Sequence, residues 1–501
     1  MNRGYALILG IAVFLILLIA PIDLPQEAKL TLAVTAMMVV FWILQPIPIE
    51  ATALIPLVAF PVTGVLSVSA AAAPYADKVI FLFLGGFMIA IAMQRWNLHR
   101  RIALKLISIT GTSPARLILG FMIASAFLSM WMSNSATAMM MIPIAIAIVA
   151  TVLPTKNYKE MDPQQKAFAG CLVLGIAYAC GVGGIATLIG TPANAVFASQ
   201  LQAFFPDAPP VDFFRWACFG VPFVAVMLII MWLWLTKIAY RKMPKNLDRT
   251  KEALQHEIEN LGPMSRGEKN TFFVFILAAL MWIFRETKEI GPITIPGLDM
   301  LFPGIDDCTV AIFCAILLFV IPVSWKNQEY TLNWQWAVRV PWGILLLFGG
   351  GMSISAAFKS SGLSKAIGEA FAGIDVPVIL LVLLLAFVVM ILTEFTSNTA
   401  VANIMLPVMA GVSVGLGVNP MILMMTVAVA SSLAFMLPVA TPPNAVAYGT
   451  EYVEMKDMLT AGWFLNLIGI LLFTLFLFTV GLAVFGMGVD LPAWALAAIT
   501  G

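Results

Sequence analysis

Long apolar runs separated by short polar breaks dominate the chain. Runs of span length fall near 5–20, 29–45, 51–66, 79–94, 167–200, 217–236, 271–284, 309–323, 341–358, 419–450 and 462–487. Two more, 117–153 and 376–410, are about twice that length and are interrupted at their centres by Ser133-Asn134-Ser135 and Ser397-Asn398-Thr399. Backbone groups cannot stay unpaired in lipid, so each predicts a helix–tip–helix hairpin, with Ser or Asn capping the second helix. Gly190-Thr191-Pro192-Ala193-Asn194 and Ala440-Thr441-Pro442-Pro443-Asn444 break two other runs. Proline there removes an N–H and frees carbonyls one turn earlier.

The breaks are ordered in a repeat. A shift of 264 aligns Leu82, Gly85 and Gly86 with Leu346, Gly349 and Gly350, and SMWMSNSATAMMMIP (129–143) with TEFTSNTAVANIMLP (393–407). A shift of 250 aligns TLIGTPANAVFA (187–198) with LPVATPPNAVAY (437–448). Apolar segments resemble one another by chance, but chance does not place the same polar motifs in the same order twice.

Composition narrows the class. Of 501 residues, 61% are hydrophobic and 11% charged, against roughly 25% charged in soluble domains. This predicts an all-α polytopic protein of the lipid bilayer and excludes a soluble enzyme. A net charge of +1 provides no field for nucleic acid. Five cysteines form no CxxC pair, and His99 and His256 lie among charges outside the apolar runs, so neither a disulfide framework nor a histidine metal site is expected.

Lysine and arginine set the expected orientation. Segment 95–116 holds five basic residues and no acid, and the linker 237–270 is also basic, so both are placed inside. The acidic segment 285–307 is placed outside. These assignments alternate only if 117–153 is re-entrant from the inner face and 376–410 from the outer, which makes the repeat inverted. The first run lacks a small-x-small cleavage site and is read as a span, with a cytoplasmic N-terminus and an extracellular or periplasmic C-terminus in the plasma membrane.

A hairpin tip presents a helix N-terminus, with free N–H groups and partial positive charge, to a polar cavity, which suits an anion. Freed carbonyls with Ser or Thr hydroxyls form a hard-oxygen cage for a bare monovalent cation such as Na⁺. Paired discontinuous helices in inverted repeats point to a midplane transport site. No Lys or Arg lies within 117–153 or 377–410, so a bound anion must draw positive charge from helix ends and a co-bound cation. Glu394, the one acid in the hairpin runs, has Met130 as its repeat mate and falls outside this symmetric scheme. A structural or gating hydrogen bond is the leading reading for it, with proton or cation coupling as the other.

At these motifs the sequence resembles the divalent anion/sodium symporter family. SNSATAMMMIP, TEFTSNTAVANIMLP, GTPANAV and ATPPNAV carry the likeness, with Ser135 and Ala193 departing from the usual Thr and Pro. The resemblance implies a homodimer of eleven transmembrane helices and two re-entrant hairpins working as an elevator, in which a transport domain slides past a scaffold. By motif, one sodium site would use Ser129, Ser133, Asn134 and Gly190, and the other Thr393, Ser397, Asn398 and Ala440. A dicarboxylate would meet Ser133, Asn134, Ser135, Thr191, Ser397, Asn398, Thr399, Thr441 and Pro442. The implied division is scaffold helices over 1–94 (the last within the first repeat), a cytoplasmic arm over 95–116, and the first transport half over 117–200. A scaffold helix follows over 201–236, then the linker 237–270 and scaffold helices over 271–358. An outer arm over 359–375, the second transport half over 376–450 and a last helix over 451–501 complete it. The arm helices themselves would occupy 97–110 and 361–374.

The expected activity is sodium-coupled symport of a C4-dicarboxylate such as succinate, fumarate or malate. Rival readings are a sodium-independent dicarboxylate exchanger, a citrate or sulfate transporter of the same fold, and a passive anion channel.

Overall fold

The computed structural model describes residues 3–153, 160–244, 250–290 and 293–500. Part of the basic linker (245–249) and of the acidic loop (291–292) lies outside them. Helices dominate. Nine among the described residues are long and apolar enough to cross a membrane, and five shorter apolar helices accompany them. The all-α expectation needs one correction. Two short antiparallel hairpins occur in polar loops, Lys288–Ile290 with Ile293–Ile295 and Pro322–Ser324 with Glu329–Tyr330. In both, the backbone pairs locally where no apolar stripe favours a helix.

Proline also alters one expected span. The run 51–66 is split into Ile49–Thr52 and Pro56–Thr63, with Pro61 inside the second piece. Each missing N–H removes a helical bond, so neither piece spans a bilayer as a straight rod. Trp42 Nε1 donates to Ile49 O at 3.2 Å and fixes the first piece against helix Gln26–Leu44.

The interrupted runs fold as two helix pairs, Pro114–Ser129 with Asn134–Val152 and Val378–Phe395 with Asn398–Gly415. Ser133 caps its helix by accepting the Ala136 N–H at 3.3 Å. Ser397 occupies the same position, but its hydroxyl makes no capping bond, so the capping expectation holds for one tip only. Pro143 and Pro407 sit at matching positions inside the second helix of each pair.

Two broken helices complete the repeat. Pro163–Gly183 resumes as Pro192–Phe204, and Pro420–Ala430 resumes as Pro442–Tyr448. The resumed piece of each half packs on the helix pair of the other: Pro192–Phe204 on Asn398–Gly415, and Pro442–Tyr448 on Asn134–Val152. The halves are thereby interlocked. Glycines permit close approach where the repeat begins. A Cβ on Gly85 would lie 2.6 Å from the Ala311 carbonyl carbon, and one on Gly350 would lie 2.5 Å from Ala53 O.

Two amphipathic helices, Leu98–Thr110 and Leu363–Phe371, precede the two pairs. The first is bound to the linker. Arg101 Nε donates to Glu268 at 2.7 Å, its terminal nitrogens donate to the Leu261 and Gly262 carbonyls, and Arg100 pairs with Glu257. Burial holds the His99 imidazole below its usual range, and its Nδ1 lies 2.8 Å from Met93 O, so it packs this helix rather than binding a metal. The linker, whose composition reads as a loop with a surface helix, contributes helix Thr250–Glu259, and the next helix starts at Arg266, inside the expected linker boundary.

A polar cavity between two tips and two breaks

Both tips and both breaks converge on one cavity of about 590 Å³. All nine residues expected at the substrate line it: Ser133, Asn134, Ser135, Thr191, Ser397, Asn398, Thr399, Thr441 and Pro442. Gly190 and Ala440 line it too, and Phe83, Phe87, Ile344 and Leu347 form apolar wall. The volume suits a small organic molecule. No Lys, Arg or His contributes to the wall, and Glu50 is the one charged residue that does. Sequence reasoning missed Glu50. Its signal was an acid inside the proline-rich apolar stretch PIPIEATALIP.

Behind each tip lies a cluster of oxygens. One end of the Asn134 amide sits 2.6 Å from Ser129 Oγ, 3.2 Å from Cys180 O and 3.3 Å from Gly190 O. With its nitrogen there, the amide donates to all three. With its oxygen there, four oxygens face one another and only the Ser129 hydroxyl can donate, an arrangement that a cation satisfies. The other half repeats the pattern: Thr393 Oγ1 lies 2.7 Å from Asn398 Oδ1 and 2.7 Å from Ser431 O. Neutral hard oxygens in small number suit a monovalent ion, and no His, Cys, Asp and Glu group fit for a metal occurs among the described residues. The donor set therefore fits Na⁺.

The clusters differ in part from the expected ligand sets. Ser129, Asn134 and Gly190 come together, but the Ser133 hydroxyl is turned to the Ala136 N–H. In the second half Thr393 and Asn398 meet, whereas Ala440 is placed by its position in the cavity wall. The Cys180 and Ser431 carbonyls were not anticipated, because main-chain oxygens carry no residue signature.

The breaks are held open by their own side chains. Asn194 Nδ2 donates to Thr187 O at 2.8 Å and to Gly184 O and Ile185 O at 3.3 Å. Asn444 Nδ2 donates to Leu437 O and Ala434 O, both at 3.1 Å. These are equivalent carbonyls in the two halves. The Asn of each TP-x-N motif thus satisfies unwound backbone that lipid could not.

The halves differ in how they treat unwound N–H groups. A 3-10 turn, Gly184–Ala186, continues the first helix. No such turn covers 433–437, and Glu394 serves instead: its carboxylate accepts the Phe435, Met436 and Leu437 N–H groups at 2.9–3.2 Å and the Asn466 amide at 2.6 Å. Glu394 is 2% exposed and does not line the cavity, which is the geometry of a structural hydrogen-bond centre.

Gly190 leaves no room for a side chain. A Cβ there would lie 2.5 Å from Gly184 O and 2.9 Å from Ser129 O, both main-chain atoms. Gly190→Ala is therefore expected to push the Gly190 carbonyl off the oxygen cluster and remove sodium-dependent stabilisation in a thermal melt. The equivalent Ala440→Gly should retain it.

A polar cavity without basic residues, set among membrane-length helices, is the construction of a multi-pass membrane transporter. The chain belongs to the sodium:sulfate symporter family, whose transmembrane-region model matches residues 2–487. It is 39% identical to a sodium-dependent dicarboxylate transporter, SdcS, of Staphylococcus saprophyticus, with 98% of this chain and 95% of that protein covered. It is 40% identical to SdcS of Staphylococcus aureus (strain bovine RF122), with coverage of 97% and 92%. Among solved structures, the Alcanivorax borkumensis YdaH transporter superposes with a TM-score of 0.59 at 14% identity, over 92% of this chain and 99% of that one, a likeness of fold.

Proposed function

We propose that the protein is a secondary active transporter that couples Na⁺ to uptake of a C4-dicarboxylate of the succinate, fumarate or malate class. The observation that carries this reading is the cavity of about 590 Å³ in which neutral donors from both repeats converge, backed by two oxygen clusters and no basic residue. The names of the Staphylococcus relatives agree with it.

The chemistry follows from charge. A dianion in this cavity meets hydroxyls, amides and the N-termini of helices Asn134–Val152 and Asn398–Gly415. Helix ends supply about half a charge each, which leaves the anion under-compensated. Na⁺ in the oxygen clusters supplies the remainder. An ion there also takes the amide oxygen of Asn134, leaving its nitrogen free to donate to a carboxylate. Each ligand then raises the affinity for the other by the same factor.

The reading includes a homodimer of eleven transmembrane helices in which the two helix pairs are re-entrant hairpins. It assigns Leu98–Thr110 and Leu363–Phe371 as arms between a scaffold and a sliding transport domain, with the N-terminus cytoplasmic. Residues Ser133, Asn134, Ser135, Thr191, Ser397, Asn398, Thr399, Thr441 and Pro442 bind the dicarboxylate.

Reconstitution tests it. Proteoliposomes with an inward Na⁺ gradient should concentrate labelled succinate with saturable kinetics, and choline in place of Na⁺ should remove the uptake. Counterflow unaffected by sodium would overturn symport in favour of exchange, and non-saturable flux would indicate a channel. In thermal melts of the purified protein, succinate should stabilise only when Na⁺ is present.

A further inference from the structure

Glu50 has no role in the scheme above, yet its position is singular. It stands on the short helix Ile49–Thr52, half-buried, as the one charged residue in the wall of an anion cavity. Its side chain lies against Gly343, where an added Cβ would come within 2.7 Å of Oε1. Gly343 is the second residue of helix Trp342–Ser360, so the carboxylate lies beside the positive end of that helix. Trp42 fixes the backbone beside it through the bond to Ile49 O. Glu50 makes no ion pair or hydrogen bond with another described residue. It is neither a fold-holding salt bridge nor, like Glu394, a satisfier of stray N–H groups.

A carboxylate facing an anion cavity lowers the affinity for every anion, and lowers it further for each added negative charge on the ligand. The geometry points to Glu50 as the residue that limits the charge of the cargo: it admits dianions, whose charge the helix ends and two cations offset, and rejects trivalent carboxylates of similar size. This rests on the anion-transport reading above and names the substrate class more narrowly. Glu50 belongs to neither tip and carries no donor, so it acts on the ligand through its charge alone.

A matched pair of ligands reads this effect. Tricarballylate and 3-methylglutarate share one backbone and differ by a carboxylate in place of a methyl group, so charge rises by one, and their difference in size cancels when the ratio is compared between wild type and variant. Thermal-shift titration in Na⁺ gives the ratio of their apparent affinities without requiring transport. Glu50→Gln should move that ratio towards tricarballylate by about tenfold, the size of one added unit-charge interaction across a partly solvated cavity. Glu50→Asp should restore most of the wild-type ratio. In the wild type, choline chloride at constant Na⁺ should narrow the gap between the two ligands, because a charge filter is screened and a steric one is not.

An unchanged ratio in Glu50→Gln overturns the assignment. Where that variant does not purify as a monodisperse protein, a wild-type ratio insensitive to choline chloride overturns it equally. A wild type that binds both anions but transports neither overturns the transport reading and leaves the charge filter to be judged by the binding ratio. No anion-dependent shift in the wild type overturns both.

Discussion

Asn134→Ala and Asn398→Ala should each reduce sodium-dependent dicarboxylate uptake to background in proteoliposomes. Each asparagine is placed to do two things: its amide reaches the oxygen cluster behind the tip, and it lines the cavity in front. On the proposed function, alanine removes a cation ligand and an anion donor together. Charge-assisted bonds are worth about 1.5–3 kcal/mol each, so losing both costs about 3–6 kcal/mol, roughly 10²- to 10⁴-fold in affinity. Folding should survive, because the helix that starts at each asparagine keeps its remaining bonds. Asn134→Asp separates the two tasks. It keeps an oxygen for Na⁺ but adds negative charge towards the cargo, so stabilisation by Na⁺ should persist while succinate no longer adds to it. Near-normal uptake by either alanine variant would reduce the tips to helix ends without ligand contact.

Glu394→Ala should instead damage the fold. The substitution strands the Met436 and Leu437 N–H groups and takes the Glu394 acceptor from the Asn466 amide, leaving Phe435 N–H its second partner, Asn466 Oδ1, in a site only 2% exposed to solvent. Buried donors left without a partner cost about 1–3 kcal/mol each, discounted because neighbouring groups relax together, for a total of roughly 3–5 kcal/mol. A fall of roughly 5–10 °C in the melting temperature is expected. Glu394→Gln retains one acceptor oxygen and should fall between alanine and wild type. The comparison distinguishes structure from coupling: a glutamine variant that melts like wild type but does not transport would mean that Glu394 carries a coupling charge.

Much of the site is legible in the sequence because polar residues in apolar runs have few explanations. Ser133-Asn134-Ser135 and Ser397-Asn398-Thr399 stand out against their surroundings, and their repetition fixes them as one site. The cavity gathers them with Thr191, Thr441 and Pro442. What escaped notice is contributed by main chain or by distant elements. The Ser431 carbonyl is available because its helix ends there, and the Cys180 carbonyl lies in the last turn of its helix, which the side chains do not announce. Glu50 reaches the cavity because Pro48 and Pro56 break its span, so a one-dimensional hydropathy reading places it at a loop edge. The Glu394 role depends on a missing turn at 433–437 that its counterpart half possesses.

The bonds from Asn194 and Asn444 have a consequence for binding. Both amides are committed to carbonyls of the unwound segments before any cargo or ion arrives. The receptacle is therefore preorganised: its shape is part of the folded state, and little ordering entropy is lost when a ligand enters. Weak individual donors can then suffice, since their contribution is not consumed in assembling the site around the anion.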